Sequence, residues 1–429
     1  MCAQKHKKYI WEEDVSDRGL SIAPAEPTRP VQSFDLRNLP RSFYDDPYSV
    51  YRDLRETSPV HRLPDGGIFL TRFADMERVY KDTTLFSSDK KIEFKPKFGD
   101  TPLYEHHTTS LIFNDPPLHT RVRRLINGAL TPRVIADLEG DLIKLVDSLL
   151  DAMAAKGKAD LIEDYAIAIP VEVIGNLLDV PHSERGPLRG WSLDILGALE
   201  PVLSAEVAER GNRAVVDFVA YLETLVARRR ENPGDPRRDV LTRLIQGEGD
   251  GERLSEIELL QNCIFILNAG HETTTNLIGN GLALLIEHPD QRQRLIDDAD
   301  LIRPAIDEML RYDSPVQLGN RMTTQDCEVG GVRVARGTSI NLCIGAANRD
   351  PEQFREPDIF DVARTPNRHL AFVSGPHQCV GMALARLEGR IAVSRFLDRF
   401  PNYRSAGIPQ RGGRVRFRGF LTLPVALGS

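Results

Sequence analysis

The segment Phe372-Val373-Ser374-Gly375-Pro376-His377-Gln378-Cys379-Val380-Gly381 sets one cysteine just before an apolar helical stretch that runs from Met382 to about Phe400. Free amides and the dipole at a helix amino terminus favour a thiolate over a thiol, and the thiolate is the form that ligates iron. Gly375 and Gly381 allow the backbone to approach such a metal, and N–H groups aimed at the sulfur tune its potential. Phe372 is placed to pack under a flat ligand. A lone cysteine is more often a small buried apolar residue than a ligand, so the case for Cys379 rests on its neighbours.

A second chemical feature interrupts an apolar stretch. Ser255 and Glu258 form a capping box, after which apolar residues run almost all round from Leu259 to Leu267, resume at Leu277 and stop at Pro289. This pattern predicts one buried helix of roughly 50 Å. In its middle stands Ala269-Gly270-His271-Glu272-Thr273-Thr274-Thr275-Asn276. Polar groups inside an apolar helix are unfavourable unless paired, so the insertion suggests a task such as proton delivery to a buried ligand. Threonine hydroxyls divert carbonyls from the ladder, and a local deformation is expected there. His271-Glu272 begins like a zinc-protease HExxH helix, but Thr275 stands where the second histidine is required.

These groups must be positioned by a mainly helical chain of 429 residues, 41% hydrophobic and 27% charged, which is enough to bury a core. The formal charge of −7 and the lack of a long cationic block argue against nucleic acid as a partner. No apolar run approaches the ~20 residues of a membrane span and the amino terminus lacks a secretory core, so a cytoplasmic protein without a membrane anchor is expected. Five scattered cysteines offer no CxxC pair. Residues 1–38, with Pro24, Pro27 and Pro30, read as an extended arm, and residues 39–429 as a single domain. A hairpin is expected over Val60 to Leu63 and Ile68 to Thr71, with further strands over Cys327 to Ile344 and Val415 to Val425. Ala227 to Arg253 reads as a solvated loop between two long helices.

The cysteine loop resembles the haem-binding loop of cytochromes P450, Phe-Gly-x-Gly-x-His-x-Cys-x-Gly, with Val373 in place of the first glycine. The likeness extends over about residues 40 to 425, from Tyr44-Asp45-Asp46-Pro47-Tyr48 through Ala347-Asn348-Arg349-Asp350-Pro351 to the terminal strands. It implies the triangular, mainly α-helical fold of that family with minor β-sheets, and haem b between the long helix and the cysteine helix. Cys379 is then the axial iron ligand. His119 and Arg123, one turn apart on a helix opened by Asp115, Pro116 and Pro117, resemble the family's His-Thr-Arg-x-Arg propionate site, to which Arg321 and His377 would add donors. Ala269 and Gly270 leave room for oxygen and substrate. Glu308 and Arg311, followed by Arg364, match the family's structural network and are assigned to folding.

By the same resemblance, Glu272 and Thr273 form the acid-threonine pair that manages protons, and the expected reaction is O2-dependent hydroxylation, or O-demethylation, of a small hydrophobic molecule, aromatic or terpenoid. Electrons would come from NAD(P)H through a ferredoxin reductase and an iron-sulfur ferredoxin, with Arg121 and Arg124 as docking candidates, and the chain is expected to be a monomer. Phe98, Tyr104, Val316 and Gln317 are the candidate substrate contacts. Lysines 90, 91, 95 and 97 permit an acidic substrate, though a solvated face explains them equally well. A peroxide-driven haem-thiolate enzyme would not need Glu272 and Thr273, and a haem-based sensor would bind ligands without turnover.

Overall fold

The computed structural model describes residues 33–236, 239–247 and 253–428. Of the arm expected at residues 1–38, all but residues 33–38 lies outside that range, as do residues 237, 238 and 248–252 of the expected loop Ala227 to Arg253. Helices dominate, and the longest, Glu256–Glu287, runs through the interior with 23 of its 32 residues buried. It packs against Ala168–Leu177, Leu188–Gly197 and Met382–Arg399, the last of which carries the cysteine loop at its amino end. Close packing shows at Gly281, where an added Cβ would lie 2.6 Å from Met309 Sδ. The apolar periodicity that predicts the long helix is thus used on nearly every face.

The capping box forms as expected. Ser255 Oγ accepts from the Glu258 amide at 3.3 Å, and the Glu258 carboxylate accepts from the Ser255 amide at 2.8 Å, a pairing that contributes about 0.5–2 kcal/mol. The expected deformation over 269–276 is not found, since the helix continues unbroken through it. Thr273 and Thr275 instead donate their hydroxyls back to Ala269 O and His271 O, at 2.8 and 3.0 Å, which satisfies the hydroxyls without opening the helix.

A five-stranded sheet takes the order Val60–Arg62, Ile68–Leu70, Ser339–Cys343, Leu318–Thr323, Phe86–Ser87. The hairpin expected near the start forms its first two strands, and Ile68–Leu70 then pairs parallel with Ser339–Cys343. That pairing joins regions about 270 residues apart, while Leu318–Thr323, antiparallel to Ser339–Cys343, carries Arg321 beside Asp115 and Tyr80. Near the carboxyl end Phe420–Thr422 and Pro424–Ala426 each join a separate small sheet. The expected loop Ala227 to Arg253 is not solvated throughout. Helix Ala205–Glu231 enters it, and Val240–Gln246 forms a further helix with Asp239 as N-cap, burying Val240, Leu241 and Leu244.

Candidate functional site

The cysteine loop is tied to itself by three backbone bonds: the Val373 amide donates to Leu370 O at 2.8 Å, Gln378 to Gly375 O at 3.0 Å, and Cys379 to Phe372 O at 3.0 Å. Gly375 has φ +70°, and a Cβ there would meet Tyr80 O at 2.5 Å, so both conformation and space require glycine. Val373 has φ 61°. The left-handed region, easy for glycine, costs an L residue roughly 1–2 kcal/mol, and valine accepts it here with its side chain packed against the cluster of Tyr80, Leu370 and Phe354. The backbone path expected of glycine at this position is therefore reached by a β-branched residue under strain.

Gly381 caps the helix Met382–Arg399, and Cys379 stands two residues ahead of it. Its side chain keeps accessible surface, yet dense protein surrounds it and burial pushes the thiol up. The Gly381 N–H and the positive charges of Arg123 and Arg386 pull in the opposite direction. Helix-end polarity alone therefore does not make a thiolate here, and a bound metal ion would complete the deprotonation. Phe372 is buried, with the Arg386 guanidinium 4.9 Å from its ring centre.

Around the loop lies a group of nitrogen donors with few protein acceptors. Arg123 donates to Gln378 O at 2.6 Å, which fixes the helix Leu118–Ala129 to the loop. The rings of His119 and His377 stack with centroids 3.9 Å apart. Neither nitrogen of His119 has a partner, nor does His377 Nε2. Burial lowers His119 to about 4 and His377 to about 2, so both are neutral at physiological pH. Arg321 is buried without an ion pair among the described residues; one amino group donates to Asn320 O at 2.7 Å, and its Nε has no partner. A buried guanidinium without a carboxylate is costly in isolation, so this cradle fits a ligand bearing anionic groups.

On the central helix Ala269 is exposed and Gly270 and Thr273 are half-buried, although nearly every neighbour is buried. Glu272 is buried, and its Oε1 accepts from Arg414 at 2.5 Å while Oε2 has no partner. Burial raises the Glu272 carboxyl, against the opposing effect of Arg414. His271 is buried with both nitrogens unpartnered, and burial lowers it to about 4.

Glu308, Arg311 and Arg364 come together as expected. Arg311 binds Glu308 through Nε and Nη2 at 2.7 and 2.8 Å with both side chains completely buried. Arg364 Nε lies 3.1 Å from both carboxylate oxygens, and the Asp361 amide and Asn367 Nδ2 add bonds at 3.0 and 3.1 Å. The remaining Arg311 donors reach the carbonyls of Asn348, Pro357 and Ile359.

The substrate candidates separate. Phe98 is buried against Phe94 and His107, with ring centres 5.2 and 5.3 Å away. Val316 is half-buried and bridges to Phe417. Tyr104 lies in an open cleft of about 710 Å³ with Glu105, Val216 and Glu223. Gln317 is buried, and its amide donates to Ser314 O at 2.8 Å and to the Tyr48 hydroxyl at 3.4 Å. Arg121, a docking candidate, is paired with Glu258. Sequence reading missed Arg414, Arg416 and Glu200, whose partners lie far away along the chain and leave no local spacing to detect.

An exposed cysteine before a helix, a neutral and cationic cradle, and a polar insertion in the central helix would together suit a planar, anionic metal cofactor. Comparison with known proteins agrees. A family model described as Cytochrome P450 matches residues 192–403. The chain is 35% identical to the biotin biosynthesis cytochrome P450 of Bacillus subtilis over 89% of its length and 96% of that protein. It is 38% identical to cytochrome P450 107B1 of Saccharopolyspora erythraea over 92% and 98%. The crystal structure of CalO2 superposes with a TM-score of 0.86 at 32% identity, covering 92% of this chain and 99% of the other. The chain belongs to the cytochrome P450 family and is an enzyme of the monooxygenase class. Among the described residues no helix is long and apolar enough to cross a membrane.

Proposed function

We propose that this enzyme hydroxylates, or O-demethylates, a small hydrophobic molecule with electrons passed from NAD(P)H by an iron-sulfur ferredoxin and its reductase. Cys379 would hold haem b, which when bound would supply the redox chemistry for O2-dependent oxygen insertion. Arg123, Arg321, His119 and His377 would hold its two propionates, the arginines by charge and the neutral histidines as N–H donors. Phe372 and Gly375 shape the sulfur side of the pocket, and Gly381 directs an amide at the sulfur. On the opposite side Ala269 presents a small exposed side chain, while the bare Gly270 lets the central helix close on Ile174. Thr273, already within 2.8 Å of Ala269 O, positions a water, and Glu272 takes or gives a proton through the oxygen that Arg414 leaves free. Phe98 and Val316 line the substrate side.

The observation that carries this reading is the Cys379 loop near a buried arginine, Arg321, that makes no ion pair among the described residues. The test is a carbon monoxide difference spectrum of the reduced haem-loaded protein and of Cys379→Ser. A thiolate-type band present in the first and lost in the second supports the reading; an unaltered band in the variant refutes it. Product analysis with ferredoxin, reductase and NAD(P)H then separates an oxygenase from a sensor or a peroxide-driven enzyme.

A further inference from the structure

Two cations near the polar insertion have no ion-pair partner among the described residues. Lys97, in the helix Lys91–Phe98, donates to a backbone carbonyl, Glu200 O, at 2.8 Å. Arg416 donates from its side chain only to Leu199 O at 3.2 Å and Leu318 O at 3.1 Å, and its Nη2 makes no protein hydrogen bond. The carboxylate that faces them, Glu200, already accepts the amides of Val415 and Arg416 at 2.8 to 3.3 Å. Nearby charges are matched elsewhere: Lys90 pairs with Glu93, and Arg414 with Glu272. Lys90, Lys97 and Arg416 thus share two carboxylates, Glu93 and Glu200, which leaves one positive charge uncompensated in a desolvated place, an arrangement stabilised by an incoming anion. Burial lowers the Lys97 ammonium to about 8, with Arg416 adding to the effect.

The site is also joined to the reacting side. Arg416 lies two residues from Arg414, at most about 7 Å along the chain, and Arg414 grips Glu272 beside Thr273. Phe417, the next residue, bridges to Val316, and the Phe98 ring sits 5.1 Å from Lys97 Nζ. Cation and apolar surface therefore adjoin, as an amphipathic ligand requires.

We propose that Lys97 and Arg416 anchor the carboxylate of the substrate, so that the enzyme takes a monoanionic apolar acid rather than a neutral hydrocarbon. This rests on the monooxygenase reading and refines its substrate class. Arg416 also braces backbone, so the test uses Lys97. Calorimetric titrations of the haem-loaded protein compare dodecanoate with methyl dodecanoate, the same chain without the charge. Wild type should prefer the acid by about ten- to a hundredfold. Lys97→Met should reduce that preference several-fold or more, and Lys97→Arg should retain it. Equal binding of acid and ester, binding of neither, or a preference untouched by Lys97→Met overturns the proposal. Each preparation is first checked for the thiolate-type carbon monoxide band, whose absence from wild type would instead fault the monooxygenase reading.

Discussion

Glu388 lies on the cysteine helix with 1% of its surface exposed, and its Oε2 has no hydrogen-bond partner. Burial alone raises its carboxyl to about 8. The folded protein therefore keeps Glu388 protonated at neutral pH, while the unfolded chain ionises it above its ordinary value of about 4.5. Above that value the unfolded state holds fewer protons than the native state, so this residue makes stability fall by roughly 1.4 kcal/mol per pH unit until the pH passes about 8. Glu388→Gln keeps the shape and removes the titration. Relative to wild type, the variant should gain about 3 kcal/mol between pH 5 and pH 7.5, since some 2.5 units of that slope disappear. Urea unfolding followed by circular dichroism at half-unit steps measures the difference. Parallel pH profiles for the two proteins would refute the reasoning and mean that Glu388 is ionised in the fold.

Thr273→Ala should keep haem and substrate binding but lower product formed per NAD(P)H consumed by about tenfold, with peroxide released in its place; unchanged coupling would remove Thr273 from proton handling. Arg311→Ala leaves the buried Glu308 with Arg364 as its one cationic partner and frees three carbonyls, and should destabilise by about 3–5 kcal/mol, seen as loss of soluble haem-loaded protein, whereas a folded variant near wild-type stability would contradict the network. Val373→Gly relieves roughly 1–2 kcal/mol of left-handed strain but adds unfolded-state entropy of about 0.5–1 kcal/mol and loses half-buried methyls, so its melting midpoint should stay close to wild type, with an intact thiolate spectrum. Arg321→Met should accelerate haem transfer to apomyoglobin about tenfold or more, because a charge-assisted contact to a propionate is lost.

The parts of this enzyme that were legible in the sequence are those whose partners lie close along the chain. Ser255 and Glu258 cap one helix, Cys379 and Gly375 sit in one loop, and Glu308 and Arg311 share one helical turn. Arg364 was reached only through the family likeness. The unbroken central helix was misjudged because three threonines can either open a ladder or bond back to it, and local composition does not decide between these. Arg414 reaches Glu272 across 142 residues and Glu200 serves Arg416 across 216, pairings set by the packing of the terminal segment and invisible to any short spacing.

The donors converging on Glu308 also order events during synthesis. Arg311 is made almost at once, but Asp361, Arg364 and Asn367 follow 53, 56 and 59 residues later. At about 5–20 residues per second, a ribosome needs several seconds to deliver them. Until then the Glu308 carboxylate has its charge partner in Arg311 but lacks the later donors that complete its hydrogen bonding.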